Sequence, residues 1–272
     1  MNKYVIQDLI GKGSYGSVYK VLDKRTNIIN ACKILPKNRI YSKEKQINAI
    51  HKINREIDIW QQLNDYKYVC KLYDTIEDDL YVYLIQEYCE YNLLDYTSVY
   101  PLNIKNYIYA LLLFLDYCHS KNIVYADLKP HNLLLNKNFE LRVIDFGCSR
   151  IINPNKMNIG FMGTPIYCSP ELWNQEYNEQ IDSWSLGVLL YHIYTGKFPF
   201  WKEPLNVIIE NKSNSLKNDI KCANVINHPD IPEKAMDLIE KLLDKNYVTR
   251  LTCNQALDHA WFKELEPEPE AF

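Results

Sequence analysis

The stretch "GKGSYGSV" restricts this chain more than any other. Only eight glycines occur in 272 residues, and Gly11, Gly13 and Gly16 fall within six positions of one another. The residues on either side, "YVIQDLI" and "SVYKVLD", alternate apolar and polar as strands do. A glycine-spaced turn between strands presents backbone N–H groups that phosphate oxygens can approach without side-chain obstruction. In a nucleotide-binding βαβ unit a helix follows such a turn, with an acid about 20 residues on. Here a strand follows instead, and then "NACKIL", which carries Lys33.

The first ~35 residues therefore read as strands. Residues 41–63 place Ile50, Ile53, Ile57 and Trp60 at helical spacing. Residues 69–89 read as two strands joined at Glu77–Asp79, and beyond Asn103 the pattern predicts helices at 103–120, 180–195, 204–212, 232–243 and 252–263. A strand-rich beginning and a helix-rich remainder, joined near 87–92, predict a two-lobe α+β protein. The expected organisation is one domain over 1–272, with an N-lobe at 1–88, a C-lobe at 89–263 and an acidic, proline-spaced tail at 264–272. With 47% hydrophobic and 24% charged residues, a packed protein is expected. A net charge of −3 without a long basic run argues against non-specific nucleic-acid binding. The eight cysteines are scattered singly, without Cys-x-x-Cys spacing, which argues against a zinc knuckle or a dithiol redox site. No signal core and no membrane-spanning apolar run is visible. Free thiols in a reducing compartment, cytoplasmic or nuclear, are the expectation.

Further motifs follow in a fixed order. Lys33 lies in Ala31-Cys32-Lys33, and Glu56 follows in the predicted helix. "VYADLKPHN" carries Asp127, Lys129 and Asn132, and "DFG" is Asp145-Phe146-Gly147. "GTP" is Gly163-Thr164-Pro165, "SPE" is Ser169-Pro170-Glu171, "DSWSLG" begins at Asp182, and Arg250 lies in "TRLTCNQALDHAWF". Taken singly, each has an ordinary structural reading. In this order, over nearly the whole chain, they resemble the eukaryotic protein kinases. The last motif is most similar to the calcium/calmodulin-dependent kinase group.

The resemblance implies a two-lobe kinase fold, with a β-rich N-lobe bearing one main helix and a mostly helical C-lobe. It implies Mg-ATP-dependent transfer of a phosphoryl group to protein serine or threonine, a reaction that needs alignment and charge neutralisation more than covalent help. Gly11, Gly13 and Gly16 would cover the phosphates. Lys33 would hold the α/β-phosphates and Glu56 would fix Lys33. Asp145 would bind a Mg²⁺ that bridges the phosphates and Asn132 a second Mg²⁺, both through hard oxygens. Asp127 would orient the acceptor hydroxyl and take its proton, Lys129 would neutralise the γ-phosphate, and Thr164 would bridge Asp127 and Lys129. Val18, Ala31 and Leu134 would sandwich the adenine. Glu87 and Cys89 would meet it with backbone groups, beside an unusual polar Gln86, and Asn92 would touch the ribose. Leu72, Trp60, Phe146 and Tyr125 would stack in a column ending at Asp182, and Glu171 would pair with Arg250.

Two positions depart from the family pattern. Ala126 stands where an arginine usually grips a phosphate on the activation segment. Gly160 stands where many relatives carry the phosphorylated threonine. Receiver and carrier are lost together, which predicts independence from activation-loop phosphorylation, with a regulatory protein partner possible. The alternative is an inactive pseudokinase scaffold. The acids that select upstream arginine are replaced by His131, Ile166 and His192, so no such preference is expected. Phe161, Pro165 and Cys168 are expected to receive an apolar residue after the acceptor. The "GTPIYCSPE" platform points to protein rather than small-molecule substrates. No calmodulin-binding helix or calcium loop is expected after "HAWF".

Overall fold

Turn chemistry and strand alternation build the first part of the chain. In the computed structural model, which describes residues 1–13, 16–37, 43–200 and 213–263, strands β1 (Tyr4–Lys12), β2 (Ser17–Asp23), β3 (Ile29–Pro36), β4 (Leu72–Glu77) and β5 (Tyr81–Glu87) form one antiparallel sheet in the order β1-β2-β3-β5-β4. The β4–β5 turn is fixed by Asp78, whose Oδ1 accepts the N–H groups of Leu80 (2.9 Å) and Tyr81 (2.8 Å). Tyr4, Val21, Cys32 and Ile85 make an apolar cluster on one face of the sheet. On the other face, cross-strand pairing sets Val18 and Leu84 opposite Lys33, and Gln86 opposite Ala31.

Helix α1 (Lys43–Leu63) buries Ile53, Glu56, Ile59, Trp60 and Leu63, a single stripe at three- and four-residue spacing. The stripe differs from the expected one. Ile50 is exposed and Ile57 only half-buried, while the acid Glu56 occupies a core position. Trp60 Nε1 donates to the Cys70 carbonyl (2.7 Å), and its ring lies 5.5 Å from that of Phe146.

The chain divides into two compact units, Met1–Tyr91 with Leu134–Gly147, and Asn92–Leu133 with Cys148–Phe272. The sequence reading drew one boundary after residue 88, whereas the segment Leu134–Gly147 returns to the first unit. There Arg142 Nε donates to Glu87 Oε2 (2.8 Å) and the Val143 N–H to the Tyr68 carbonyl (2.7 Å).

The second unit is helical: α2 (Leu93–Val99), α3 (Ile104–Ser120), α4 (Gln180–Thr195), α5 (Ser213–Cys222), α6 (Glu233–Leu242) and α7 (Cys253–Leu257). Every residue of α4 from Gln180 to Tyr191 is buried. It packs on α6, while α3 packs on α7. α4 stops at Gly196, whose left-handed backbone returns its N–H to the His192 carbonyl (2.8 Å). Arg250 ties the unit together. Its guanidinium donates to both carboxylate oxygens of Glu171 (2.6 and 3.0 Å) and to the Gln180 carbonyl (2.9 Å), over the face of Trp184.

The helix expected over 252–263 is in fact two pieces. α7 ends at Leu257, His259 is extended with its Nδ1 accepting the Trp261 N–H (3.2 Å), and a 3₁₀ turn covers Ala260–Phe262. A side-chain acceptor in competition with the helix ladder breaks it. The helix expected at 204–212 and the acidic tail lie outside the described residues. Among the described residues, no helix is long and apolar enough to cross a membrane.

Candidate active site

The first unit carries a buried charge cluster. Lys33 sits on the inner strand β3 beneath α1, nine-tenths hidden from solvent. Its Nζ donates to Glu56 Oε1 at 2.6 Å and to Asp145 Oδ1 at 2.8 Å. Burial works against the lysine's charge, but the two carboxylates outweigh it and hold its pKa above the usual lysine range. Burial likewise lifts Glu56, with Lys33 pulling the other way. Asp145, one-third exposed along its side chain, has a left-handed backbone (φ 62°) and also accepts the Gly147 N–H (3.3 Å). A non-glycine residue in that conformation stores about 1–3 kcal/mol of strain, a cost that surrounding contacts must offset.

The first unit also carries other residues predicted for the site. Val18 is half-buried opposite Lys33, Ala31 is buried two residues before it, and Leu134 is half-buried. The Glu87 amide is already spent on the Lys71 carbonyl (2.8 Å), and its carboxylate holds Arg142. The glycine turn has a reason inside the fold as well. A Cβ on Gly16 would stand 2.3 Å from the Ile34 carbonyl oxygen, so only glycine permits β3 to approach that closely, while Gly13 faces open space apart from the Gly16 carbonyl.

The second unit carries the loop from Tyr125 to Asn132. Asp182, fully buried on α4, accepts the N–H of Tyr125 (2.9 Å) and of Ala126 (2.8 Å), and His119 Nε2 lies 2.9 Å from the same carboxylate. Burial opposes a charge on His119, but Cys253 and Asp182 beside it prevail and push its pKa up to about 10. With the backbone so anchored, Asp127 is gripped at both oxygens. The Thr164 hydroxyl donates to Oδ1 (2.7 Å), and Lys129 Nζ (2.7 Å) and Asn132 Nδ2 (3.2 Å) donate to Oδ2. Lys129 Nζ also reaches the Thr164 oxygen (3.0 Å), which closes the ring of contacts. Gly163 makes that ring possible, since its φ is +83° and a Cβ there would stand 2.3 Å from the Ala126 carbonyl. Asn92 uses both ends of its side chain within the unit, accepting from the Leu94 N–H (2.9 Å) and donating to the Pro130 carbonyl (3.0 Å).

The donor chemistry suits a hard divalent cation. In the first unit Asp145 carries carboxylate oxygen; in the second, Asn132 spends its amide nitrogen on the Asp127 carbonyl (2.9 Å) and carboxylate, which turns its amide oxygen to the acceptor role such a cation prefers. Among the described residues, no group of three or more His, Cys, Asp or Glu forms a closed cage. Mg²⁺ is ordinarily held by one or two carboxylates plus substrate phosphates.

Sequence reasoning missed what surrounds Ala126. Its φ is +66°, and it is 5% exposed inside an apolar cluster with Val124, Ile152, Met162, Cys168, Leu172, Tyr177 and Ile181. The hydrophobic letters were visible, but nothing in their spacing brings Met162 and Ile152 to residue 126.

Comparison with known proteins agrees with the geometry. Residues 4–262 match the protein kinase domain. The chain is 34% identical over 269 residues to calcium-dependent protein kinase 5 of Plasmodium falciparum, covering 94% of this chain and 44% of that protein. It is 30% identical over 279 residues to calcium-dependent protein kinase 32 of Arabidopsis thaliana, covering 98% of this chain and 50% of that one. The chain thus spans about half the length of the curated relatives it matches. By the match over 4–262 and the motifs it contains, the chain belongs to the protein kinase domain family.

Proposed function

We propose that this chain is a serine/threonine protein kinase that transfers the γ-phosphoryl group of ATP, with Mg²⁺, to hydroxyl groups of protein substrates. The observation that carries this reading is Asp127 held by Thr164 on one oxygen and by Lys129 on the other. A carboxylate has about four lone-pair sites. Three are taken here, which leaves one to accept the proton of an incoming hydroxyl. Lys129 places positive charge beside the same carboxylate, where charge on the transferred group must be neutralised. Lys33, fixed by Glu56, binds the α/β-phosphates. The glycine turn covers them, and Val18, Ala31, Leu134 and the backbone at Glu87 and Cys89 receive the base. Asp145 would hold one Mg²⁺ and Asn132 a second, and such ions would supply charge neutralisation to the phosphates.

The test is phosphate incorporation into a dephosphorylated protein extract by purified protein and Mg-ATP. Asp127→Asn is expected to lower the rate by about 10²–10⁴-fold while nucleotide still binds. Equal incorporation by wild type and Asp127→Asn would refute the assignment. Nucleotide binding with no transfer by wild type would favour an inactive scaffold.

The activation segment is proposed to need no phosphate. Three facts support this. Arg150–Ile151 pairs with Ile123–Val124, and Asn158–Ile159 with Glu176–Tyr177, so backbone ladders hold the segment. Met162 and Ile152 of the segment share a buried apolar cluster with Ala126, an apolar tie in place of a charged one. Gly160, at φ +144°, occupies a conformation that threonine rarely adopts. Phosphatase treatment of protein expressed without other kinases is expected to leave activity unchanged, and its loss would defeat the idea.

For substrates, we infer no selection of upstream arginine. His131 is exposed, Ile166 is buried, and His192 is stacked on Phe198 at 4.7 Å with burial holding its pKa below the usual histidine value, so none offers negative charge. An apolar residue after the acceptor would meet the exposed Phe161 and Pro165, with Trp173 behind Phe161 at 5.2 Å. The Cys168 thiol is turned inward, to the Met162 (3.5 Å) and Thr164 (3.4 Å) carbonyls. Strong upstream-arginine selection in a positional peptide library would overturn this. All eight cysteines are free, which suits a cytoplasmic or nuclear setting.

A further inference from the structure

Asn92 stands at the start of α2 with an extended backbone (φ −89°, ψ 139°), and the helix behind it is firmly seated, with Leu93 and Thr97 buried. Its side-chain oxygen accepts the Leu94 N–H at 2.9 Å, which caps the helix. Only the oxygen can take that N–H, so the amide nitrogen faces the other way, where it donates to the Pro130 carbonyl at 3.0 Å. Pro130 opens a 3₁₀ turn, Pro130–Asn132, and the same carbonyl receives the Leu133 N–H that closes the turn. Both lone pairs of that oxygen are thereby engaged. The turn carries Asn132, whose Nδ2 donates to the Asp127 carbonyl (2.9 Å) and to Asp127 Oδ2 (3.2 Å). Asp182 anchors the start of the loop at Tyr125 and Ala126, and Thr164 grips Asp127. Neither reaches the far end. Among the described residues, Asn92 is the only side chain outside the loop that hydrogen-bonds residues 130–132.

We propose that Asn92 is a positioning residue that braces the 130–132 turn against helix α2, and through it Asn132 and Asp127, instead of serving as a ribose contact. The brace stands on the two hydrogen bonds of its amide; its role in phosphoryl transfer rests on the proposed function. Protein groups set the amide's orientation on both sides, with a helix N–H on one and a loop carbonyl on the other. Loss of the Nδ2 donor leaves the Pro130 carbonyl with the Leu133 N–H alone. The turn then gains freedom, and Asn132 holds Asp127 in its working orientation for a smaller fraction of the time. A neutral hydrogen bond of this kind is expected to change the rate by roughly threefold to tenfold. Because the brace orients groups for the chemical step and does not touch nucleotide, the change should fall on kcat and leave nucleotide affinity in place.

The experiment uses the full chain and separates the two ends of the amide. Asn92→Asp keeps a capping oxygen and removes the donor, Asn92→Ser caps with a shorter side chain, and Asn92→Ala removes both functions. Amide hydrogen exchange is followed by mass spectrometry over peptides covering 128–134 and α2. Phosphate incorporation into a dephosphorylated protein extract gives kcat, and titration with ADP and with 3′-deoxy-ADP gives affinity. Asn92→Asp and Asn92→Ser are expected to exchange faster at 128–134 with α2 still protected, and to lose kcat roughly threefold to tenfold. ADP affinity should stay within about twofold of wild type, with the ratio of ADP to 3′-deoxy-ADP affinity unchanged. Asn92→Ala alone should also lower the Tm. Unchanged exchange at 128–134 in both capped variants would overturn the brace. Faster exchange with kcat intact would overturn its part in transfer. Loss of the ADP preference over 3′-deoxy-ADP in the variants would return Asn92 to the ribose. Faster exchange in a protein whose wild type transfers no phosphate defeats the proposed function and leaves the brace standing.

Discussion

The Lys33 cluster of the first unit and the Ala126 cluster of the second solve similar problems by opposite means. Each fixes a segment that carries a proposed catalytic group. The first does so with full charges taken out of water, Lys33 between Glu56 and Asp145. The second does so with methyl, thioether and ring surfaces around a residue that has no polar group to offer. Buried charges make removal of one partner costly, because the other is left uncompensated. Apolar contacts are cheaper to trim and indifferent to pH and salt, but intolerant of an inserted charge. The expected sensitivities of the two clusters therefore differ in kind.

Lys33→Met probes the charged cluster hardest. Phosphoryl transfer is expected to fall by about 10²–10³-fold and stability by about 3–5 kcal/mol, by activity assay and urea unfolding. Glu56, left in burial that already raises its pKa, should then fold best in protonated form. A carboxyl whose folded pKa exceeds its unfolded value stabilises below the unfolded pKa and loses that contribution as pH rises. The variant should thus lose relatively more stability at pH 8 than at pH 5, and a flat difference would break the comparison. Met162→Ala, in the apolar cluster, should cost about 2–5 kcal/mol with no such pH trend. Ala126→Arg should cost about 1–3 kcal/mol from overpacking alone, read as a lower Tm, and phosphatase should still leave its activity unaffected. His119 lies between the two styles. Its folded pKa is raised to about 10 from 6.5, so its contribution is complete below pH 6.5 and fades as pH climbs through 10. His119→Gln should flatten the stability curve between those limits. The smallest effect is expected for Ala126→Gly. Relief of a left-handed backbone, about 1–3 kcal/mol, is set against loss of one buried methyl, about 0.8 kcal/mol, plus glycine's extra unfolded-state freedom, and the melting temperature should hardly move.

What could be read from the letters was short-range or ordered along the chain. Strands β1 to β3, the Asp78 turn and the start of α4 follow from alternation and turn residues. Asp127, Lys129 and Thr164 were located by motif order, and the structure sets them in one ring of contacts. The rest depends on contacts between distant segments. Glu56 on a helix has the same letter whether solvated or buried. The two-residue strands at Arg150–Ile151 and Asn158–Ile159 are too short to show a period. Positive φ at Ala126 and Asp145 is imposed by surroundings, against the residues' own preference. Gly16 was read as clearance for phosphate, and the structure adds a packing reason that no local pattern discloses.

The Arg250–Glu171 clamp joins residues 79 positions apart. During synthesis at about 5–20 residues per second, the acid at 171 emerges several seconds before its guanidinium partner. Once residues 180–195 have followed, the nascent polypeptide carries α4 without the cation that later rests on Trp184. Ribosome-bound intermediates halted before residue 250 should accordingly be protease-sensitive across α4, and become resistant only once that arginine has cleared the exit tunnel.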